Sequence, residues 1–167
     1  SFADITDGSS NTIGMAERSI YTRTGAIKGD GVANLSGIDQ NPTLCMATKG
    51  QNGMYASGYT IHSEKAVGRR WADGRPYWNG ITTVLPPNGP TCLGTANSWE
   101  WGIFSPSSYH PGGVNALLMD GSVRFVSETI DTGNLAAPQP GARGGPSPYG
   151  VWGAMGSMAG GESIAAQ

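Results

Sequence analysis

In this chain of 167 residues, His110 and Asp120 come nearest by type and spacing to doing chemistry. An imidazole can act as a general base or a metal ligand, and a carboxylate can orient it. Nine residues lie between them, which along a strand is up to about 30 Å. The two would therefore occupy opposite ends of one strand unless Pro111-Gly112-Gly113 bent it sharply. Continuing the strand pairing would bring Asp131 opposite His110, although Pro111 would disturb that pairing. The plainer reading is a histidine bonded to backbone ahead of the strand.

Asp4, Asp7, Asn11 and Glu17 offer hard oxygen ligands of the kind that hold Ca²⁺. Their spacing is not that of an EF-hand loop. Asx-turns and a cap explain Asp7 and Asn11 as well. No metal is required by the sequence, and calcium at Asp4, Asp7 and Asn11 is a minor alternative. Trp71, Tyr77, Trp78, Trp99 and Trp101 stand among Asn, Asp and Arg residues and are candidates to line a site for a small solute or glycan. Large aromatics also fill the cores of loop-rich proteins, and that is the commoner use. There is no G-x-S-x-G, no H-E-x-x-H and no phosphate-binding G-x-x-x-x-G-K-[ST]. Triads assembled in space leave no such motif, so a hydrolase with an unrecognised site stays as a third alternative, and the expectation is a non-enzymatic chain.

The element that must position His110 and Asp120 is legible. Residues 114–127 form two apolar runs around Asp120-Gly121, the strongest short-range signal of a β-hairpin. A two-residue loop would pair Met119 with Ser122, Leu118 with Val123 and Ala116 with Phe125. Val114, Ala116, Leu118, Val123 and Phe125 would then share the core face. Elsewhere, Thr12 to Ile20 reads as a weak strand, and 22–53 as loop with one short helix. Tyr77 to Leu85, β-branched and aromatic between prolines, reads as a strand, with Asp73-Gly74 as a tight turn.

Composition sets the class. The chain has 27 Gly and 11 Pro, and only 13% charged residues. Many loops around a modest core follow, so the expected fold is mainly β with long Gly/Pro-rich loops and an antiparallel sheet containing the 114–127 hairpin. The expected division is a β-rich head over 1–135, a Pro/Gly-rich linker-like segment over 136–150 and a tail or short helix over 151–167. The net charge of −2 comes without a basic patch, so a nucleic-acid surface is not expected. No run approaches the roughly 18 apolar residues of a membrane span. Cys45 and Cys92 are either two buried thiols or a disulfide closing a loop of about 48 residues, and a loop-rich chain gains most from the bridge. With the bridge, the compartment is oxidising.

Several segments, read in order, resemble one bacterial family. Asp4-Ile5-Thr6-Asp7-Gly8-Ser9-Ser10-Asn11-Thr12-Ile13 with Glu17 is similar to its "D-I-T-D-G-T-S-N-T-I…E" segment. Arg70 to Pro76 and Thr83 to Asn88 resemble its middle, and Tyr149 to Ala154 with Gly160-Gly161-Glu162 its ending. His110 followed by Asp120-Gly121 matches its C-terminal H-x9-D-G motif. Members carry a prepilin-type cleavage/methylation signal and a pilin-like apolar helix. They are described as a domain of unknown function, and are also filed with solute-binding proteins. The chain begins abruptly at Ser1 and resembles only the C-terminal half of a full-length member; with the upstream helix the fold would be α+β. The resemblance implies an extracytoplasmic structural subunit with other envelope or pilin-like subunits, or copies of itself, as partners. Membrane contact would come only through the upstream helix. The alternative is a solute- or glycan-binding module.

Overall fold

The computed structural model describes residues 1–62, 67–95, 101–140 and 145–162. The fold is β-rich, as composition predicts. A 3-10 turn (Phe2–Asp4) leads to β1 (Ile13–Ala16), followed by helices α1 (Thr43–Met46) and α2 (Pro76–Asn79) and by strands β2 (Cys92–Leu93) and β3 (Gly102–Ile103). The hairpin strands β4 (Gly113–Leu118) and β5 (Val123–Ser127) come next, then helix α3 (Gly150–Met155). β1, β4 and β5 make an antiparallel sheet in the order β1-β4-β5, and β2 and β3 make a second, two-stranded one. Among the described residues no helix is long and apolar enough to cross a membrane.

The hairpin is present, but its register is shifted by one residue from the expected pairing. Val114 pairs with Val126, Asn115 with Phe125, Ala116 with Arg124 and Leu117 with Val123. The loop has three residues, not two. Gly121 N–H donates to Leu118 O (3.0 Å) and Leu118 N–H to Ser122 O (2.8 Å). Gly121 alone takes the left-handed conformation, at φ +87°, and Asp120 does not. This is the three-residue solution, a turn closed by a left-handed glycine. Asp120 holds it by accepting the Ser122 N–H (2.9 Å) and hydroxyl (2.7 Å). These bonds, the hydroxyl's first, keep the Asp120 carboxyl below its usual range.

Because side chains alternate, the shift exchanges two residues for one. Val126 joins Val114, Ala116 and Leu118 in the core, whereas Val123 and Phe125 turn outward. Trp152 and Met155 of α3 close over the inner face, and the Trp152 indole N–H donates to Leu85 O (2.8 Å).

A second departure lies at Tyr77–Leu85, where helix α2 takes the place of the first half of the expected strand. Pro76 occupies its first turn, where a fixed φ and a missing N–H cost nothing, and Arg75 before it is extended. Tyr77 and Trp78 are driven inward beside Leu93, Phe104 and Val67. The remaining core surrounds the Cys45–Cys92 disulfide, whose Cα atoms are 5.9 Å apart. Ile27, Val32, Ile38, Leu85 and Ile103 pack about it.

Candidate functional site

The contact that joins distant sequence signals is made by Glu17, just past the end of β1. Its backbone N–H donates to Asn115 O (3.1 Å) and its carbonyl accepts the Ser107 N–H (2.9 Å). Its carboxylate accepts the Asn115 N–H (2.8 Å) and the Asn115 side-chain amide (3.2 Å). The same carboxylate lies 3.2 Å from His110 Nε2. Glu17 thus clamps the start of β4 and the preceding loop onto β1. The Asn115 backbone bond is the main cause that lowers the Glu17 pKa, against an opposing effect of burial; the Asn115 amide and the adjacent His110 add to the lowering.

The sequence-predicted partners of His110 lie elsewhere. Asp120 is at the hairpin tip, bonded to Ser122. Asp131 does not meet His110: its carboxylate accepts the Gly133 N–H (2.9 Å) and the Val151 N–H (3.3 Å), and so docks the start of α3. The contact with Asp131 fails because the pairing ends at Gly113–Ser127 and the chain turns away at Pro111. Missing from the expectation was Glu17 as the partner of His110. The signal for it was the recurrence of both residues among the family-like segments, 93 positions apart.

The N-terminal acidic cluster is dispersed. Asp4 pairs with the terminal amine of Ser1. Asp7 accepts the Gly160 N–H (2.6 Å) and the Gly161 N–H (3.0 Å), one on each oxygen. Asn11 donates its side-chain amide to Asp7 O (3.3 Å). Among the described residues no three His, Cys, Asp or Glu side chains converge as metal ligands would.

The aromatic candidates separate as well. Tyr77 and Trp78 are fully buried. Their rings lie 5.6 Å apart, edge to face, and the Arg70 guanidinium sits 4.9 Å from the Trp78 ring. As ligand platforms both are corrected: the Pro76 helix start turns them into the core. Trp71 projects into solvent and Trp101 is half exposed. Trp99 lies outside the described residues.

What the slipped register leaves in solvent is an apolar sheet face. Met15 on β1 pairs with Leu117 on β4, and Leu117 with Val123 on β5. Met15 is 68% exposed, Val123 66% and Phe125 50%. Antiparallel sheets ordinarily present polar side chains on their solvated side. The bonds from Ser122 to Asp120 fit the longer loop, although Asp120-Gly121 is equally compatible with the shorter one.

No curated protein and no solved structure matches the chain. The model of the family described as "Protein of unknown function (DUF1559)" matches residues 1–133. That span holds both Glu17 and His110, and the hairpin that separates His110 from Asp120. Matched over more than half of its length, the chain belongs to this family.

Proposed function

We propose that this chain is the head of a pilin-like cell-envelope subunit, a non-enzymatic structural protein working outside the cytoplasm. The observation that carries the reading is the outer face of the β1-β4-β5 sheet. Met15, Val123 and Phe125, with half-buried Leu117 between them, present apolar surface there, while the opposite face is already covered by α3. A sheet with one face sealed and the other apolar suits a second covering layer. The apolar helix implied upstream by the family resemblance would supply that layer and leave the loops to other subunits. The disulfide fits an oxidising compartment. With Tyr77 and Trp78 in the core, the glycan-binding alternative keeps, of its candidate aromatics among the described residues, only Trp71 and Trp101 exposed, which favours the structural reading.

The test is a longer chain with the family's upstream helix ahead of Ser1, compared with the same chain carrying Val123→Thr and Phe125→Ser. Electron microscopy and sedimentation are expected to show filaments or arrays for the first and dispersed subunits for the second. Assembly indifferent to both substitutions, or strictly monomeric behaviour of the unaltered longer chain, would overturn the reading.

A further inference from the structure

Four non-glycine residues among those described take a left-handed backbone conformation, and three of them are Asn34, Asn52 and Asn88. Asparagine tolerates that conformation through its short polar side chain. The fourth is Arg23, at φ +60°, and an arginine stays there only where its surroundings impose it. What imposes it is one buried carboxylate. Asp30, with no exposed surface, accepts the Thr22 N–H (3.1 Å), the Arg23 N–H (3.2 Å) and the Gly25 N–H (2.6 Å). Backbone donors thus occupy its oxygens, and the loop is wound around them.

The result is a fixed Arg23 side chain. Its guanidinium lies over the Tyr21 ring, 5.9 Å from the centre, and Tyr21 packs in turn against the cluster that holds Val67, Tyr77 and Trp78. The Tyr21 N–H donates to Val67 O (3.0 Å), which draws the segment carrying Arg69 alongside. A cleft of about 370 Å³ lies there, lined by Ile20, Tyr21, Thr22, Arg23 and Arg69. Both arginines are exposed, so each is open to a ligand. Residues 63–66, outside the described set, contain one acid and one base, Glu64 and Lys65, and add no net charge.

We infer that this cleft binds a phosphate monoester of a small polyol or sugar. Two guanidinium groups match the charge of a phosphate monoester at neutral pH, and each can grip its oxygens through two parallel hydrogen bonds. The volume is near the lower end of small-molecule sites, which span about 300–1,000 Å³, so the body attached to the phosphate is of monosaccharide size. Ile20 and Tyr21 give that body an apolar wall to lie against. An arginine already held over an aromatic ring gives up less freedom on binding than a loose one. That is the use of the strained backbone at Arg23. The inference concerns neither the outer face of the sheet nor subunit assembly, and it stands whether or not the pilin-like reading does.

The experiment is an NMR titration of the whole chain with the phosphate monoester of glucose, beside glucose itself and inorganic phosphate. The ester is expected to shift the amides of Tyr21, Thr22, Arg23 and Arg69 saturably. Inorganic phosphate should move the same amides at about tenfold higher concentration, and glucose none. Arg69→Gln, at an unchanged melting temperature, should raise the dissociation constant of the ester at least about tenfold. Arg23→Gly should do the same, since glycine takes the left-handed conformation without strain and keeps the loop in place. The inference is overturned if the ester gives no saturable shift, if glucose or inorganic phosphate binds as well as the ester, or if both variants bind the ester as the unaltered chain does.

Discussion

At the scale of single residues, Glu17 and His110 join two family-like segments that lie far apart in the chain. Glu17 satisfies the Asn115 N–H with a charged acceptor, and Glu17→Ala leaves that donor without it. The expected loss is about 1–3 kcal/mol, measured by urea denaturation at neutral pH. The pH dependence follows from the sign of the shift. The Glu17 carboxyl is lowered in the folded state from an ordinary value of 4.5. Its contribution is therefore whole above that value and fades as the pH falls through the lower, folded one. The stability difference between wild type and Glu17→Gln should shrink over that acid range; a difference constant from neutral pH downward would refute the clamp. Cys45 and Cys92 were legible as a pair because a loop-rich chain offers two cysteines little other use. The meeting of Glu17 with His110 was not legible. It depends on β1 lying beside β4, and no local pattern reports which distant strand an edge strand will choose.

The elements teach a similar lesson about what a local pattern determines. The hairpin was evident from its two apolar runs and Asp-Gly pair. Its loop length was ambiguous by one residue, and that residue decides which side chains are buried. Val126 on the inner face and Phe125 on the outer are the direct result. Phe125→Ser should therefore change the stability of the head by no more than about 0.5 kcal/mol, where a core phenylalanine would cost several. A thermal melt separates the two. Gly113 gives the opposite contrast. A Cβ there would stand 2.2 Å from Val126 O and 2.8 Å from the Phe125 ring. Gly113→Ala should destabilise by about 1–3 kcal/mol, since a packed strand pair cannot open to admit it. An unchanged melting temperature would contradict the register. Tyr77 to Leu85 misled for a physical reason. Its residues favour strands, but Pro76 sets a helical start and Gly80 ends it within one turn. Tertiary burial of two rings then outweighs intrinsic preference.

At the scale of the molecule, the described residues form three small cores with a covalent tie through one of them. The Cys45–Cys92 bridge spans 47 positions, and the chain-entropy model assigns such a loop about 4 kcal/mol. Replacing both cysteines by alanine should lower the denaturation midpoint accordingly, and reductant should do the same to the unaltered protein. A midpoint insensitive to both would show that packing alone holds the loop. β-rich character and long loops were readable from 27 glycines and 11 prolines. The seating of α3 on the inner face of the β1-β4-β5 sheet was not, because no periodicity connects that helix to the strands it covers.

The two extremities of the described chain are fastened to each other. Thr6 N–H donates to Met158 O (2.8 Å), the Thr12 hydroxyl lies 3.3 Å from Ser157 O, and Asp7 grips Gly160 and Gly161. If the molecule is stretched between its extremities, as a link in a loaded fibre would be, tension falls first on this handful of bonds. They would rupture as a fuse while the cross-linked interior stayed slack, so a pulling experiment should record a weak early break well before the main unfolding peak.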